Sequence, residues 1–202
     1  MSRLGIMGGT FDPIHLGHLV TAEEALVQFN LDGVVFMPTG RPARKTDNPV
    51  TAPEHRYLMT VIATASNPNF DVSRIEIDRP GLSYTVDTLQ KLRDDHGGET
   101  ELFFITGADA VWEIVTWKEA ERFRELATFI AATRPGYDLD AARALHAEEL
   151  SRIRIEFMVV PALAVSSTEI RNRVAGSQPV RYLVPEPVGS YIRKYGLYRE
   201  TR

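Results

Sequence analysis

Two short segments near opposite ends of the chain combine residue types suited to binding phosphate. The first runs Gly8-Gly9-Thr10-Phe11-Asp12-Pro13-Ile14-His15-Leu16-Gly17-His18. Its two leading glycines let a phosphate approach the backbone closely, and a helix beginning near Gly17 aims unpaired N–H groups and its positive dipole end at the same spot. His15 and His18 stand three apart at the entry to that helix, so both imidazoles can face the glycine turn and donate to phosphate oxygens. A pair of solvated or capping histidines is the plainer alternative. Zinc finds no glutamate, third histidine or cysteine at ligand spacing around them. The segment is neither the G-x-G-x-x-G dinucleotide fingerprint nor a Walker A loop, which would continue into Gly-Lys-Ser/Thr.

The second segment is Val165-Ser166-Ser167-Thr168-Glu169-Ile170-Arg171. Ser166 followed three residues later by Glu169 is a capping box, and a well-capped helix is all it need mean. The helix nevertheless starts directly after a strand, carries hydroxyls beside its free N–H groups and places Arg171 one turn in. That is a second anion cradle with a bidentate donor attached.

The elements that must position these segments alternate along the chain. Apolar runs read as strands at Arg3 to Met7, Gly33 to Met37, Asp71 to Ile77, Thr100 to Thr106, Thr128 to Thr133 and Ile155 to Val160. Helical spacing falls at Leu19 to Phe29, Glu54 to Ala65, Ser83 to Asp95, Trp117 to Leu126, Asp140 to Leu150, Thr168 to Val174 and Pro187 to Tyr195. Thr39 to Pro53, with three prolines and a glycine, reads as a long loop. This order implies an α/β fold: one Rossmann-like, open, mostly parallel sheet, helices on both faces and a small C-terminal helical part, over residues 1–202 as one domain. Such sheets bind ligands beyond the carboxyl ends of their strands, where the strand order reverses.

Composition narrows the function. The chain has 202 residues and 44% are hydrophobic, enough for one substantial core. Acidic residues outnumber basic ones by 27 to 23, so no long-range positive field is available to hold a nucleic-acid polymer. There is no cysteine, which removes thiolate chemistry and disulfides and fits a reducing cytosol. No run approaches the roughly 18 apolar residues of a membrane span, and none reads as a secretory leader.

The two segments, His15-Leu16-Gly17-His18 behind Gly8-Gly9 and S-x-T-x-I-R over Ser166 to Arg171, resemble the paired signatures of the nucleotidyltransferase superfamily. Over the whole chain the sequence is most similar to the bacterial nicotinate-nucleotide adenylyltransferase family. Tyr84-Thr85-Val86-Asp87-Thr88-Leu89, Gly107-Ala108-Asp109, Trp117-Lys118, Thr133-Arg134-Pro135 and the tail from Val184-Pro185 to Tyr198 carry that similarity. The resemblance implies transfer of the adenylyl group of ATP to nicotinate mononucleotide, yielding nicotinate adenine dinucleotide and pyrophosphate. Such a reaction needs no protein nucleophile, because the attacking phosphate is already ionised, and catalysis reduces to positioning and charge neutralisation.

The resemblance also assigns roles. Gly8, Gly9, Thr10, Phe11, His15 and His18 would bind ATP, with His18 nearest the reacting centre. Arg171 and the amides near Ser166, Ser167 and Thr168 would take the leaving pyrophosphate, while Mg²⁺ travels on the nucleotide. Lys45 would reach over the phosphates from the long loop. Tyr84 and Thr85 would meet the nicotinate carboxylate, Trp117 would stack on the pyridine ring, Asp109 would accept from a ribose hydroxyl, and Arg134 would contact the mononucleotide phosphate. Each has a structural alternative: a loop lysine, a helix start, a core tryptophan or a surface ion pair. The family commonly has His-Lys where this chain has Arg44-Lys45. Rival activities are adenylyl transfer to nicotinamide mononucleotide, transfer to phosphopantetheine, and nucleotide sensing without catalysis.

Overall fold

In the computed structural model the described residues are 2–43, 50–107, 113–133, 148, 151–161 and 164–199. Arg44, Lys45, Asp109, Arg134 and, apart from position 148, the expected helix over 140–150 lie outside them.

Six strands form one parallel sheet: β1 (Ser2–Gly9), β2 (Gly33–Pro38), β3 (Phe70–Val72), β4 (Thr100–Gly107), β5 (Thr128–Thr133) and β6 (Ile155–Val159). Their order is β3-β2-β1-β4-β5-β6. β1 therefore lies between β2, with Ile6 opposite Val35, and β4, with Ile6 opposite Phe104. The chain winds outward one way from β1 through β3, then returns to β1's other side and continues through β6. The reversal lies between β1 and β4, and the ends of these two strands open the crevice expected of such a sheet.

Successive side chains on a strand point to opposite faces, so each strand feeds two cores. Met7 and Phe103 pack with α1 (Leu16–Gln28), α2 (Pro53–Thr64), α5 (Ser167–Ala175) and α6 (Glu186–Tyr195), through Ala22, Leu26, Met59, Ile170, Val188 and Ile192. Ile6 and Phe104 pack with α3 (Thr85–His96) and the short α4 (Phe123–Leu126), through Val86, Leu89, Leu92 and Phe123. No helix among the described residues is long and apolar enough to cross a membrane.

Two expectations need correction. The alternating run Asp71 to Ile77 forms a strand only over Phe70–Val72. Its partner β2 ends at Pro38; the Ser73 amide makes the last tie, to the Phe36 carbonyl at 2.9 Å, and the Asp78 amide then turns back to the Arg74 carbonyl at 2.9 Å. Trp117 to Leu126 is likewise not one helix. Glu119 adopts a left-handed conformation, φ 51°, and only a 3₁₀ turn at Ala120–Arg122 and α4 follow.

Candidate functional site

β1 delivers Gly8, Gly9 and Thr10 to the crevice, and the chain then turns through Phe11 to Pro13 into α1. Every carbonyl along this turn that has a described partner is held from outside. The Gly9 oxygen accepts from the Thr39 amide at 2.9 Å and hydroxyl at 3.1 Å, and the Thr10 oxygen from Arg56 at 2.7 Å. The Asp12 oxygen accepts from Arg171 at 2.8 Å and the Pro13 oxygen from the Ser167 hydroxyl at 2.8 Å. A carbonyl so held cannot rotate toward an incoming phosphate, so the electrostatic character of the turn is set before any ligand arrives.

His15 is the N-cap of α1, in extended conformation, and His18 sits one turn in. Their rings stack at 3.7 Å between centroids, 26° from parallel. The His15 amide donates to His18 Nδ1 at 3.2 Å, which leaves the proton of the neutral His18 ring on Nε2 as a donor. Burial holds the His15 pKa down at about 4 and pushes that of His18 well below its ordinary value, with the neighbouring His15 adding to the effect. Both rings are thus neutral donors at pH 7. His15 Nδ1 is buried and has no hydrogen-bond partner among the described residues. The stack explains Gly17, because a Cβ there would lie 3.0 Å from His15 Nδ1.

Phe11 does not offer its side chain to a ligand. It is 2% exposed, with φ 48°, and packs edge-on against the His18 ring at 5.0 Å. What it contributes to the site is backbone and support for His18.

α5 brings the second signature to the same turn. The Ser166 hydroxyl caps the helix by accepting from the Glu169 amide at 3.1 Å, as the capping box implies. The Arg171 fork lies across Asp12 O and the Thr168 hydroxyl, at 2.8 and 3.2 Å. With the Ser166 and Ser167 hydroxyls engaged, α5 presents its amides, the Thr168 hydroxyl and Arg171.

On the other flank of Gly8 to Thr10 lies a cavity of about 410 Å³ between the ends of β1, β2 and β4. Tyr84, Thr85, Trp117 and Lys118 wall one side, Thr39, Pro42 and Ala43 another, with Phe104 and Thr106 beneath. Tyr84 is the N-cap of α3 and Thr85 its first residue, so the positive end of that helix opens into the cavity. Trp117 packs edge-on to Phe104 and Phe123, both at 6.2 Å, while keeping a surface on the cavity. Trp117 therefore packs against the core and also lines the cavity. Lys118 lies 4.8 Å over the Tyr84 ring and 3.1 Å from Asp87 in the first turn of α3.

Several site residues escaped the sequence reading. Glu76, 8% exposed, lines the cavity and accepts from the Thr88 hydroxyl at 2.8 Å, and burial pushes its pKa up. A Cβ on Gly40 would meet the Glu76 carbonyl at 2.1 Å, so only glycine fits that crossing. Asp12 accepts from the Tyr198 hydroxyl at 2.8 Å and the Thr51 amide at 3.2 Å, and Arg56 is fully buried. The Glu-Ile-Asp-Arg run and the lone Arg56 carry no spacing signal; only the long-range packing reveals them.

A cytidylyltransferase-like family model matches residues 6–173. A protein of Moorella thermoacetica is 56% identical over 98% of this chain and 92% of its own, and one from a Thermoanaerobacter species is 53% identical over 98% and 95%. Both bear the name "Probable nicotinate-nucleotide adenylyltransferase". The chain belongs to the nicotinate-nucleotide adenylyltransferase family. The fold extends further: the Plasmodium falciparum nicotinic acid mononucleotide adenylyltransferase complexed with NaAD superposes with a TM-score of 0.78, 21% identity and 98% coverage of both chains. The site's donors are amides, hydroxyls, imidazoles and a guanidinium, groups that bond to anionic oxygens. Nowhere among the described residues do three His, Asp or Glu side chains converge as a cage.

Proposed function

We propose that the protein, acting in the cytoplasm, transfers the adenylyl group of ATP to nicotinate mononucleotide, a step toward NAD. The observation that carries this reading is that Gly8 to Thr10 are shared by two half-sites. They lead into the turn that holds His15, His18 and Arg171, and they line the cavity walled by Tyr84, Thr85 and Trp117. A bond made between two nucleotides has to form where both are within reach, and this turn is that place.

ATP enters as its Mg²⁺ complex on the side of α1 and α5. The mononucleotide enters the cavity with its ring toward Trp117 and its carboxylate toward the amides that open α3. Its 5′-phosphate oxygen attacks the α-phosphorus of ATP; that P–O bond forms as the bond to the bridging oxygen of the β-phosphate breaks. Pyrophosphate leaves with the electron pair. Charge gathering on the α-phosphate oxygens is met by Nε2–H of His18, and charge on the leaving group by Arg171 and the α5 amides. His15 supports the stack and supplies a second imidazole. The helix start at Thr85 favours the acid over the amide, since a carboxylate accepts from N–H groups and gains from the dipole, while a carboxamide presents its own N–H₂.

Pyrophosphate release measured with ATP and either nicotinate mononucleotide or its amide tests the reading. Turnover with the acid at a clearly higher kcat/KM is expected. Comparable values would remove the acid assignment, and no release with either would remove adenylyl transfer.

A further inference from the structure

Arg56 is 1% exposed, and its guanidinium serves three backbone carbonyls: Nη1 to Thr10 at 2.7 Å, Nε to Thr51 at 2.8 Å and Nη2 to Gly40 at 2.9 Å. These carbonyls come from three separate segments. Thr10 is on the phosphate turn, whereas Gly40 and Thr51 are near the two ends of the Thr39 to Pro53 segment. We infer that Arg56 is a positioning residue that fixes the phosphate turn and the cavity wall in one register, with Tyr198 as its counterpart on Asp12.

The choice of residue supports this. A buried cation is an expensive way to hold a fold, and an apolar side chain of similar volume would fill the space at least as favourably. What an apolar side chain cannot do is donate in three directions from one plane, and lysine offers a point charge rather than a fork. Burial pulls the Arg56 pKa down, opposed chiefly by the Asp12 charge, and the guanidinium stays protonated.

The partners extend to both half-sites. The Asp12 carboxylate accepts from the Tyr198 hydroxyl and the Thr51 amide, while its carbonyl holds Arg171. A shift of the turn would therefore carry Arg171 with it. On the other flank Gly40 is pinned between Arg56 and the Glu76 backbone, and the next carbonyl, Arg41, accepts from the Ser83 amide at 2.9 Å. Ser83 leads directly into Tyr84 and Thr85. Arg56 thus reaches the ATP side through Thr10 and the cavity side through Gly40, whereas the Tyr198 hydroxyl engages Asp12 and Thr51.

The inference rests on the proposed reaction, and its test separates the two. The unmodified protein, Arg56→Lys and Tyr198→Phe are compared by steady-state kinetics and by calorimetric binding of ATP and nicotinate mononucleotide one at a time. A misplacement of about an ångström costs up to roughly a hundredfold, so Arg56→Lys should lose at least about tenfold in kcat/KM and weaken both ligands. Tyr198→Phe should weaken ATP and leave mononucleotide binding unchanged. A merely structural Arg56 predicts a lower Tm with both affinities and turnover intact below it, and that result overturns the inference. Should Arg56→Lys not fold, Tyr198→Phe decides alone: ATP binding equal to that of the unmodified protein overturns it. The binding arms read the same whether or not pyrophosphate is released, so failure of the reaction assignment is seen only in the unmodified protein's turnover.

Discussion

His18 has two neighbours that fix how it meets a ligand: the stacked His15 ring on one side and the Phe11 edge on another. With Nδ1 accepting from the His15 amide, its useful proton is on Nε2. His18→Ala removes that donor and should lower turnover, read well below the variant's own Tm, by at least about a hundredfold, roughly 3 kcal/mol of transition-state stabilisation. Near-normal turnover in the variant would take His18 out of the mechanism. The stack also makes a statement about acid stability. Burial depresses the His15 pKa from 6.5 to about 4, so between these values the unfolded chain binds protons that the folded chain refuses. Its contribution is complete above about pH 6.5 and is lost as pH falls toward about 4; His18, depressed for the same reason, acts in the same direction. Urea midpoints measured from pH 7 down to pH 4 should fall, and His15→Asn should flatten the fall. An identical slope in the variant would show that the His15 ring does not govern it.

The helices and strands divide into those whose role is local and those whose role is set from afar. α1 and α5 were readable because their capping residues and their chemistry are the same residues: the Gly17 gap that admits the stacked rings, and Ser166, which accepts from Glu169. The parallel sheet followed from strands separated by helices. The Asp71 to Ile77 run has the period-two alternation of a half-buried strand, yet its pairing with β2 stops at Phe36–Val72 and the chain turns back on itself between Arg74 and Asp78. Glu76 then becomes a cavity residue rather than an outward strand position. Arg56, Gly40 and Tyr198 leave no local pattern to read: Arg56 ties Thr51, 5 residues away, to Gly40 and Thr10, 16 and 46 away, Tyr198 reaches Asp12 across 186 residues, and Gly40 acts through a close backbone crossing. α3 bears the prediction at this scale. Thr85 opens it beside the cavity, and discrimination of a carboxylate from its amide should reach tens to thousands, about 2–4 kcal/mol. Thr85→Val deletes the hydroxyl donor and keeps the branched shape, so the ratio of kcat/KM for acid over amide should narrow. A ratio unchanged by Thr85→Val would move the discrimination to another group.

Across the whole molecule, the reversal of strand order between β1 and β4 lets one turn serve two ligands while each remains held by its own elements. The His15–His18 pair and Arg171 are carried by α1 and α5, which pack with β1's Met7 in one core. Tyr84 and Trp117 pack against the other, with Ile6 and Phe104, and Thr85 lines the cavity beside them. The two half-sites are thus built on opposite faces of the sheet and share Gly8 to Thr10, with Arg56 tying that turn to the cavity wall. Substitutions confined to one face should separate the affinities. Arg171→Lys replaces a fork with a point charge and should weaken ATP binding several-fold or more while the Kd of nicotinate mononucleotide is retained. Trp117→Ala should weaken the mononucleotide, and its amide equally, because a stacking face does not distinguish the two rings, and leave ATP alone. Calorimetry with single ligands reads each affinity without turnover. If either variant lowers both affinities in parallel, the faces are not independent, and the division of the site along the β1–β4 reversal is wrong.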